Sequence, residues 1–236
     1  MKKIFVFINL VVIFCSFMMA CKKQDRTFKD FIVPGGLTYI GKAKAAYANS
    51  GKYRIRLNWL RGAYPDIVKS RVYWNNYRDS VEINIGVTDD TIRVLIPGLD
   101  EQSYSFMIRN FDEKSNQSLP VEVLAKVYGD DYQRRISNRI IKASEVDSQG
   151  RLLIKLVSAD MTNGALKTQI QYTGIDGGIH MRIVGPLQLA DTIVDYKVGT
   201  QYSHRTLYLP DSTSLDTFYT KYLIEKTISQ KINTGL

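Results

Sequence analysis

Short segments in which apolar and polar residues alternate recur throughout the chain. In segment 53–59, every second residue is apolar and would lie on one side of an extended backbone: Tyr53, Ile55, Leu57 and Trp59. This period of two is typical of a half-buried β-strand. Turns rich in glycine, proline and aspartate separate the segments. Their spacing predicts an all-β sandwich, and the clearest strands are expected at 53–59, 71–75, 80–85, 91–96, 104–109 and 121–127.

The second half of the chain repeats the order of the first. Four segments of the first half have a counterpart in the second half. The segment 54–59 corresponds to 151–156, 69–74 to 167–172, 90–93 to 191–194 and 104–109 to 202–207. The offsets are 97, 98, 101 and 98 residues. A nearly constant offset over four strands indicates a duplicated domain. We therefore predict two tandem β-sandwiches, over residues 34–128 and 133–236, separated by the polar stretch 129–133.

The N-terminus has a different pattern and does not belong to the predicted sandwiches. Two lysines, Lys2 and Lys3, precede an almost unbroken apolar run over residues 4–17, and small Ala20 follows. This order predicts a secretory signal peptide over residues 1–20. The alternative is an uncleaved anchor helix, in which Lys22 and Lys23 act as the stop flank.

Cys21 is the candidate lipidation site. Met18-Met19-Ala20-Cys21 resembles a bacterial lipobox, although Met18 stands where leucine is usual. Because Cys15 lies inside the signal, Cys21 is the single cysteine of the mature chain and has no disulfide partner. Several acyl chains on this residue would anchor the protein stably to a membrane. Residues 22–30 are polar, charged and aperiodic, so we predict a flexible tether over residues 21–33.

Composition narrows the class of partner. The formal net charge is +9, and removal of Lys2 and Lys3 with the signal leaves about +7. The excess is spread along the chain, whereas nucleic-acid binding needs a concentrated basic face. We therefore exclude nucleic acid and attribute the charge to solubility or to affinity for acidic surface polymers. No apolar stretch of the mature chain reaches the length of a transmembrane helix.

Particular motifs of the chain resemble those of a known fold and of a known family. The passage 94–106, in which a leucine precedes Tyr104, and the position of Trp59 resemble a fibronectin type III-like (immunoglobulin-like) sandwich; Leu156 replaces Trp59 in the second half. With the motifs 73–76, 137–139 and 205–210, the whole chain resembles a family of Bacteroidetes surface lipoproteins. That resemblance implies an outer-membrane location beside glycan-uptake systems, on the cell surface rather than the periplasmic face.

The residues that usually carry chemistry are sparse. Of the two histidines, His180 follows a predicted hairpin turn, and His204 is expected to be half-exposed on a strand. The acidic pairs Asp89-Asp90 and Asp130-Asp131 have no third ligand at useful spacing, so they are expected to be solvated turns. No metal site, cofactor or catalytic constellation is predicted, and the chain is not expected to be an enzyme.

Aromatic residues near one turn form the candidate binding site: Tyr73, Trp74, Tyr77 and Arg78. An outward-facing Trp74 would stack on a sugar ring, with Arg71 and Asn75 or Asn76 supplying hydrogen bonds. In the alternative, Val72 and Trp74 point inward with Trp59, and Tyr73 is the outward residue.

The predicted function follows from the anchor, the tandem sandwiches and the resemblance. We expect a non-catalytic, lipid-anchored surface module that binds glycans alongside an outer-membrane uptake system. The alternative is a structural or protein-interaction spacer in an outer-membrane complex. The expected partners are the membrane, through the lipid on Cys21, and a polysaccharide or an outer-membrane protein.

Overall fold

The computed structural model describes residues 36, 38–62, 64–86, 90–226 and 228–229. The predicted signal peptide over residues 1–20, Cys21 and the tether over residues 21–33 lie outside the described residues. The chain divides into two units, Met1–Tyr39 and Ile40–Leu236, and the strands of the described residues belong to the second unit. No helix among the described residues is long and apolar enough to cross a membrane.

The first half of the described chain folds into two antiparallel sheets. One sheet has the order β1-β2-β5 and the other has the order β4-β3-β6-β7. The strands are β1 (Lys44–Gly51), β2 (Arg54–Leu60), β3 (Ile67–Trp74), β4 (Asp79–Asn84), β5 (Thr91–Pro97), β6 (Ser103–Asp112) and β7 (Val121–Lys126).

Alternate residues of these strands meet between the two sheets. Leu57 and Trp59 of β2 are buried opposite Val72 of β3 and Phe106 and Ile108 of β6. Ile55, Leu57 and Trp59 therefore lie on the core side as predicted, whereas Tyr53 precedes the strand and Asn58, on the opposite side, is also buried.

The second half repeats the arrangement. One sheet has the order β12-β9-β8-β16, with β16 parallel to β8, and the other has the order β11-β10-β13-β14, with β15 also paired to β13. The strands are β8 (Ile141–Val146), β9 (Leu152–Leu156), β10 (Ala165–Thr173), β11 (Ile179–Val184), β12 (Ala190–Ile193), β13 (Tyr202–Tyr208), β14 (Phe218–Tyr219), β15 (Leu223–Glu225) and β16 (Ile228–Ser229). A 3-10 turn, Met161–Asn163, precedes β10.

The shared sheet order confirms the prediction of two tandem β-sandwiches. The order β1-β2-β5 matches β8-β9-β12, and β4-β3-β6 matches β11-β10-β13. Strands β1 and β8 have weak alternation and were not predicted as such. The limits 34–128 and 133–236 stay predictions, since the chain between them is part of a shared junction.

A short helix, α1 (Asp130–Arg135), forms that junction, and a carboxylate from the first sandwich caps it. Glu101, in the β5–β6 connection, accepts hydrogen bonds from the backbone N–H groups of Asp131 (2.6 Å) and Tyr132 (2.7 Å). A helix N-terminus has unpaired N–H groups and a positive dipole end, so a carboxylate stabilises it there. The sequence interpretation of this stretch as a simple polar separator missed the helix.

Aromatic rings fill the junction behind the helix. The Tyr132 ring centroid lies 5.0 Å from that of Tyr128 and 4.8 Å from that of Phe218, in edge-on contacts. The Tyr132 hydroxyl donates a 2.6 Å hydrogen bond to the carbonyl of Asn163. Burial raises the pKa of the Tyr132 phenol above its usual value.

A second connection joins the sandwiches at Asp216. Its carboxylate accepts hydrogen bonds from the Lys52 backbone N–H (2.8 Å) and from Arg54 Nε (3.0 Å) and Nη2 (2.5 Å). A Cβ at position 51 would lie 2.7 Å from Asp216 Oδ2, so a residue larger than Gly51 would displace this carboxylate. The two sandwiches are therefore joined by polar and aromatic contacts.

Candidate functional site

The predicted binding residues lie at the β3–β4 hairpin turn. Its four residues, 75–78, join Trp74 to Asp79, which are paired across the two strands. Three consecutive residues have positive φ angles: Asn75 at 50°, Asn76 at 55° and Tyr77 at 63°. Asparagine tolerates this left-handed region, but a tyrosine there is unusual and costs conformational energy.

The turn brings two tyrosines together on the solvent side. The ring centroids of Tyr73 and Tyr77 lie 5.0 Å apart with an interplanar angle of 49°. Tyr77 is 50% exposed, and Tyr73 is half-buried. The strained backbone of residue 77 thus holds an exposed ring against that of residue 73, as a small aromatic surface.

An ion pair supports the base of this surface. Arg71 Nε donates a 3.0 Å hydrogen bond to Glu82 Oε2, and the Arg71 guanidinium carbon lies 6.0 Å from the Tyr73 ring centroid. The hydrogen bonds from Arg71 lower the pKa of Glu82. Both groups therefore keep their charges at neutral pH and remain paired.

Trp74 lies on the opposite side of β3 from Tyr73. It packs against the first core, with its ring centroid 6.2 Å from that of Phe106. Successive strand residues alternate between faces, so Trp74 and Tyr73 cannot share one surface. Of the two arrangements considered for Trp74, the structure has the inward one. Arg78 is exposed in the turn, beside Tyr77.

The side chains next to the tyrosines complete the site. Asn75 Nδ2 donates a 2.7 Å hydrogen bond to Asp79 Oδ2, which fixes its amide within the turn. The Asn76 side chain is exposed. The site thus offers stacking area from Tyr73 and Tyr77 and a cation from Arg78, a combination suited to a sugar ring.

His180 lies between two carboxylates in the second sandwich. Its Nε2 is 3.0 Å from Asp176 Oδ1, and its Nδ1 is 3.7 Å from Asp195 Oδ2. Tyr172 donates a 2.8 Å hydrogen bond to Asp195. Within the described ranges, neither ring nitrogen is bonded to a hydroxyl or thiol nucleophile, so this cluster lacks the geometry of a catalytic triad.

His204 is fully buried, so the prediction of a half-exposed histidine was wrong. Its Nε2 is 2.9 Å from the carbonyl oxygen of Arg139, and its Nδ1 is 3.6 Å from Glu225 Oε1. Burial lowers the pKa of His204, an effect that the contacts with Arg139 and Glu225 oppose. The sequence shows alternation around residue 204 but not the segment that covers it.

The acidic pair Asp130-Asp131 belongs to the junction. Asp130 contacts Lys52 Nζ at 3.3 Å, and the backbone N–H of Asp131 is capped by Glu101. Asp89 lies outside the described residues. In the part of the chain that the structure describes, no group of three or more His, Cys, Asp or Glu side chains is placed to hold a metal ion.

A family model covers most of the chain. Residues 21–218 match DUF4998, which is described as a domain of unknown function. The chain belongs to this family. The DUF4998 match covers the first sandwich, the candidate turn, the junction and the second sandwich as far as the start of β14, while β15 and β16 lie beyond it. No curated protein matches the chain in sequence.

Solved structures similar to the DUF4998 chain contain fibronectin type III domains. A two-domain fibronectin type III segment of chicken tenascin is 12% identical, with 78% of this chain and 98% of that chain covered and a TM-score of 0.31. The FN1–FN3 domains of chicken CNTN1 are 8% identical, covering 80% and 66%, with a TM-score of 0.45. Fibronectin(III)-like modules of CbhA from Clostridium thermocellum are 12% identical, covering 83% and 96%, with a TM-score of 0.39.

The fold class predicted from sequence, tandem fibronectin type III-like β-sandwiches, is confirmed. In the first half, the sheet β1-β2-β5 faces the sheet whose central strands are β3 and β6. In the second half, strands β8, β9 and β12 face the sheet whose corresponding strands are β10 and β13. The fold alone does not establish a function.

Proposed function

We propose that this DUF4998 protein is a lipid-anchored, non-catalytic module of the outer membrane that binds glycans on the cell surface. The observation that supports this most is the Tyr73–Tyr77 pair, which a strained turn holds at the surface. Aromatic rings stack on the apolar faces of sugars, and backbone strain often marks a binding site.

The anchor part of the proposal rests on the N-terminal sequence. The apolar run after Lys2 and Lys3 and the single mature cysteine, Cys21, support export and lipidation. The resemblance to Bacteroidetes surface lipoproteins supports the outer membrane, and the cell surface ahead of the periplasmic face.

Affinity electrophoresis tests the binding site. Full-length protein in detergent would be run through gels that contain neutral polysaccharides, namely xyloglucan, laminarin and inulin. Tyr77→Ala should weaken retardation by about tenfold, because one stacking ring contributes about 1 to 1.5 kcal/mol. Tyr47→Ala is the matched control, since Tyr47 on β1 is 53% exposed and Tyr77 is 50% exposed. Equal behaviour of the two variants would reject the proposed site.

Protease shaving of intact cells tests the location. Wild-type protein on the cell surface should be degraded, and Cys21→Ala should leave the membrane fraction. Protection of the wild-type protein would place it on the periplasmic face. A Cys21→Ala protein that stays membrane-bound would contradict lipidation.

A spacer role is the second candidate, and the junction favours it. Glu101 of the first sandwich caps α1 at the start of the second half. Asp216 of the second sandwich accepts hydrogen bonds from Arg54 and Lys52 of the first. Contacts of this kind restrict the movement of one sandwich against the other, as a spacer of set length requires. Crosslinking in cells that recovers an outer-membrane protein, together with no retardation by any polysaccharide, would favour this role.

A further inference from the structure

The second sandwich has an outer face with a different chemistry from the predicted site. This outer face is formed by the outward residues of β11, β10, β13 and β15, which the cross-strand register places side by side. Its polar positions are Lys167, Gln169 and Gln171 on β10 and Ser203 and Arg205 on β13. None of the outward positions on these four described strands is Asp or Glu.

Arg205 is held in a fixed orientation on this face. Its guanidinium carbon lies 4.5 Å from the Tyr219 ring centroid and 4.6 Å from that of Tyr222. Its Nε donates a 2.6 Å hydrogen bond to Gln169 Oε1. Two cation–π contacts and one hydrogen bond orient the planar group before any ligand arrives.

The guanidinium of Arg205 has no carboxylate partner among the described residues. The ion pairs of the described chain use other arginines, such as Arg54, Arg71 and Arg182. The Nη groups of Arg205 therefore remain available, and their planar geometry suits two parallel hydrogen bonds to a carboxylate or sulfate. Arg205 is therefore an oriented cation whose geometry suits an external anion.

A shallow groove lies beside Arg205 on the same face. It has a volume of about 260 Å³ and is lined by Gln171, Thr173, Gln201 and Ser203, with Ile179 and Ile224 also in its wall. Ser203 and Arg205 are two residues apart on β13, so about 7 Å separates their positions along the strand. Amides and hydroxyls match the hydroxyl groups of a sugar, and the isoleucines match its apolar ring face.

We propose that this outer face is a second binding site, which takes an anionic sugar residue. The sugar's carboxylate or sulfate is held by Arg205, and its ring lies in the adjacent groove. The inference deepens the proposed function, on which its assumption of a glycan ligand rests, but it uses residues of the other sandwich. A lipid headgroup fits less well, because the groove offers several hydroxyl-binding side chains beside one cation.

Affinity electrophoresis with charged polymers tests this site. Full-length protein in detergent would be run through gels that contain polygalacturonate, dextran sulfate or uncharged dextran. Arg205→Gln should weaken retardation by the anionic polymer by about tenfold or more, because it removes charge-assisted hydrogen bonds. Retardation of the wild type should also fall as NaCl rises. Loss of retardation with either anionic polymer supports the site, and loss with one of them alone identifies the acid group as carboxylate or sulfate.

Arg109→Gln is the matched control. Arg109 lies on β6, the counterpart of β13, and donates a 3.0 Å hydrogen bond to Gln117 on the exposed side of the first sandwich. Both variants remove one positive charge, so a general charge effect would weaken them equally, and that result would overturn the proposal. Arg205→Lys keeps the charge without the planar fork and should also bind weakly. Unfolding by urea checks that each variant is folded.

The two sites are distinguished by testing each variant with the polymers of the other site. Tyr77→Ala should keep its retardation by the anionic polymer, and Arg205→Gln should keep its retardation by neutral polysaccharides. Neutral binding without any anionic binding would overturn this inference and leave the proposed function intact. Loss of binding to phosphatidylglycerol vesicles in Arg205→Gln, with no polymer retardation of the wild type, would overturn the sugar assignment in favour of a membrane.

Discussion

Strands β6 and β13 occupy equivalent places in the two sandwiches but face their interiors with different side chains. With the offset of 98 residues, Phe106 and Ile108 on β6 correspond to His204 and Thr206 on β13. All four side chains are fully buried. The same strand position therefore carries apolar packing in one half and hydrogen-bonding groups in the other.

The difference arises from the segment that enters each sandwich. In the second half, Arg139 donates its backbone N–H to Thr206 Oγ1 (2.7 Å), and Tyr208 donates its hydroxyl to the Ser137 carbonyl (2.7 Å). In the first half, Asn110 holds the entering segment by a 2.9 Å hydrogen bond to Gly41. A duplicated sandwich thus keeps its strand order, while side chains at matched positions adapt to the chain that crosses them.

Truncation of the largest core side chain should have the largest effect. Trp59 is fully buried on β2, and Leu156 is its counterpart on β9. Trp59→Ala should lower the free energy of unfolding by about 4 kcal/mol and Leu156→Ala by about 3 kcal/mol, because a larger cavity remains after tryptophan. Urea unfolding followed by circular dichroism measures both. A larger cost for Leu156→Ala would show that the second core is the less tolerant one.

Arg139 tests whether the second sandwich depends on its buried polar contacts. It is 4% exposed, and it donates to the carbonyls of Val157 (2.5 Å), Gly185 (2.9 Å) and Gln188 (2.6 Å). Burial lowers the pKa of the Arg139 guanidinium, which nevertheless stays charged. Arg139→Met should cost about 3 kcal/mol, because three carbonyls lose their donor.

The control for Arg139→Met is Arg93→Met, at an exposed arginine on β5. A surface substitution of this kind should change the free energy of unfolding by about 0.5 kcal/mol or less. Equal effects of the two variants in urea unfolding would contradict a structural role for the buried guanidinium.

His204 should make the stability of the second sandwich depend on pH. Burial depresses its pKa in the folded state, so the unfolded state binds the proton more tightly. This stability is fully present above the unfolded pKa of about 6.5 and is lost as pH falls below it, by at most about 1.4 kcal/mol per pH unit. The Glu225 carboxylate is the charged group that faces the ring, and the backbone carbonyl of Arg139 is its neutral hydrogen-bond partner.

Thermal unfolding at pH 7.5 and pH 5.5 measures the effect. The wild type should have the lower Tm at pH 5.5, and His204→Gln should reduce the difference. His180→Gln, at the other histidine, is the matched control and should not reduce the difference. A His204→Gln protein with an undiminished pH dependence would remove His204 from this explanation.

The cap of α1 should have the smallest effect on stability. Glu101→Gln keeps the size of the side chain but loses the charge that accepts from Asp131 and Tyr132. The expected cost is about 1 kcal/mol, the usual value of a helix cap. Glu122→Gln, at an exposed glutamate hydrogen-bonded to Ser105, should cost less. Equal costs in urea unfolding would show that the junction does not depend on the cap.

The sequence by itself determined the all-β class and the duplication. Strand alternation is a local property, and it is visible in segments such as 53–59 because one side of each strand must be buried. It also placed Tyr73 and Tyr77 near one turn. The sequence did not decide whether Trp74 points inward or outward. That choice depends on the register of β3, and one apolar residue at the end of a strand does not fix the register.

Only the tertiary structure decided the junction, the burial of His204 and the orientation of Arg205. Each of these depends on residues far apart in sequence: Glu101 with Tyr132, His204 with Arg139, and Arg205 with Gln169. Long-range pairs leave no periodic signal, because the strand pattern records which side of a strand is buried and not which segment covers it.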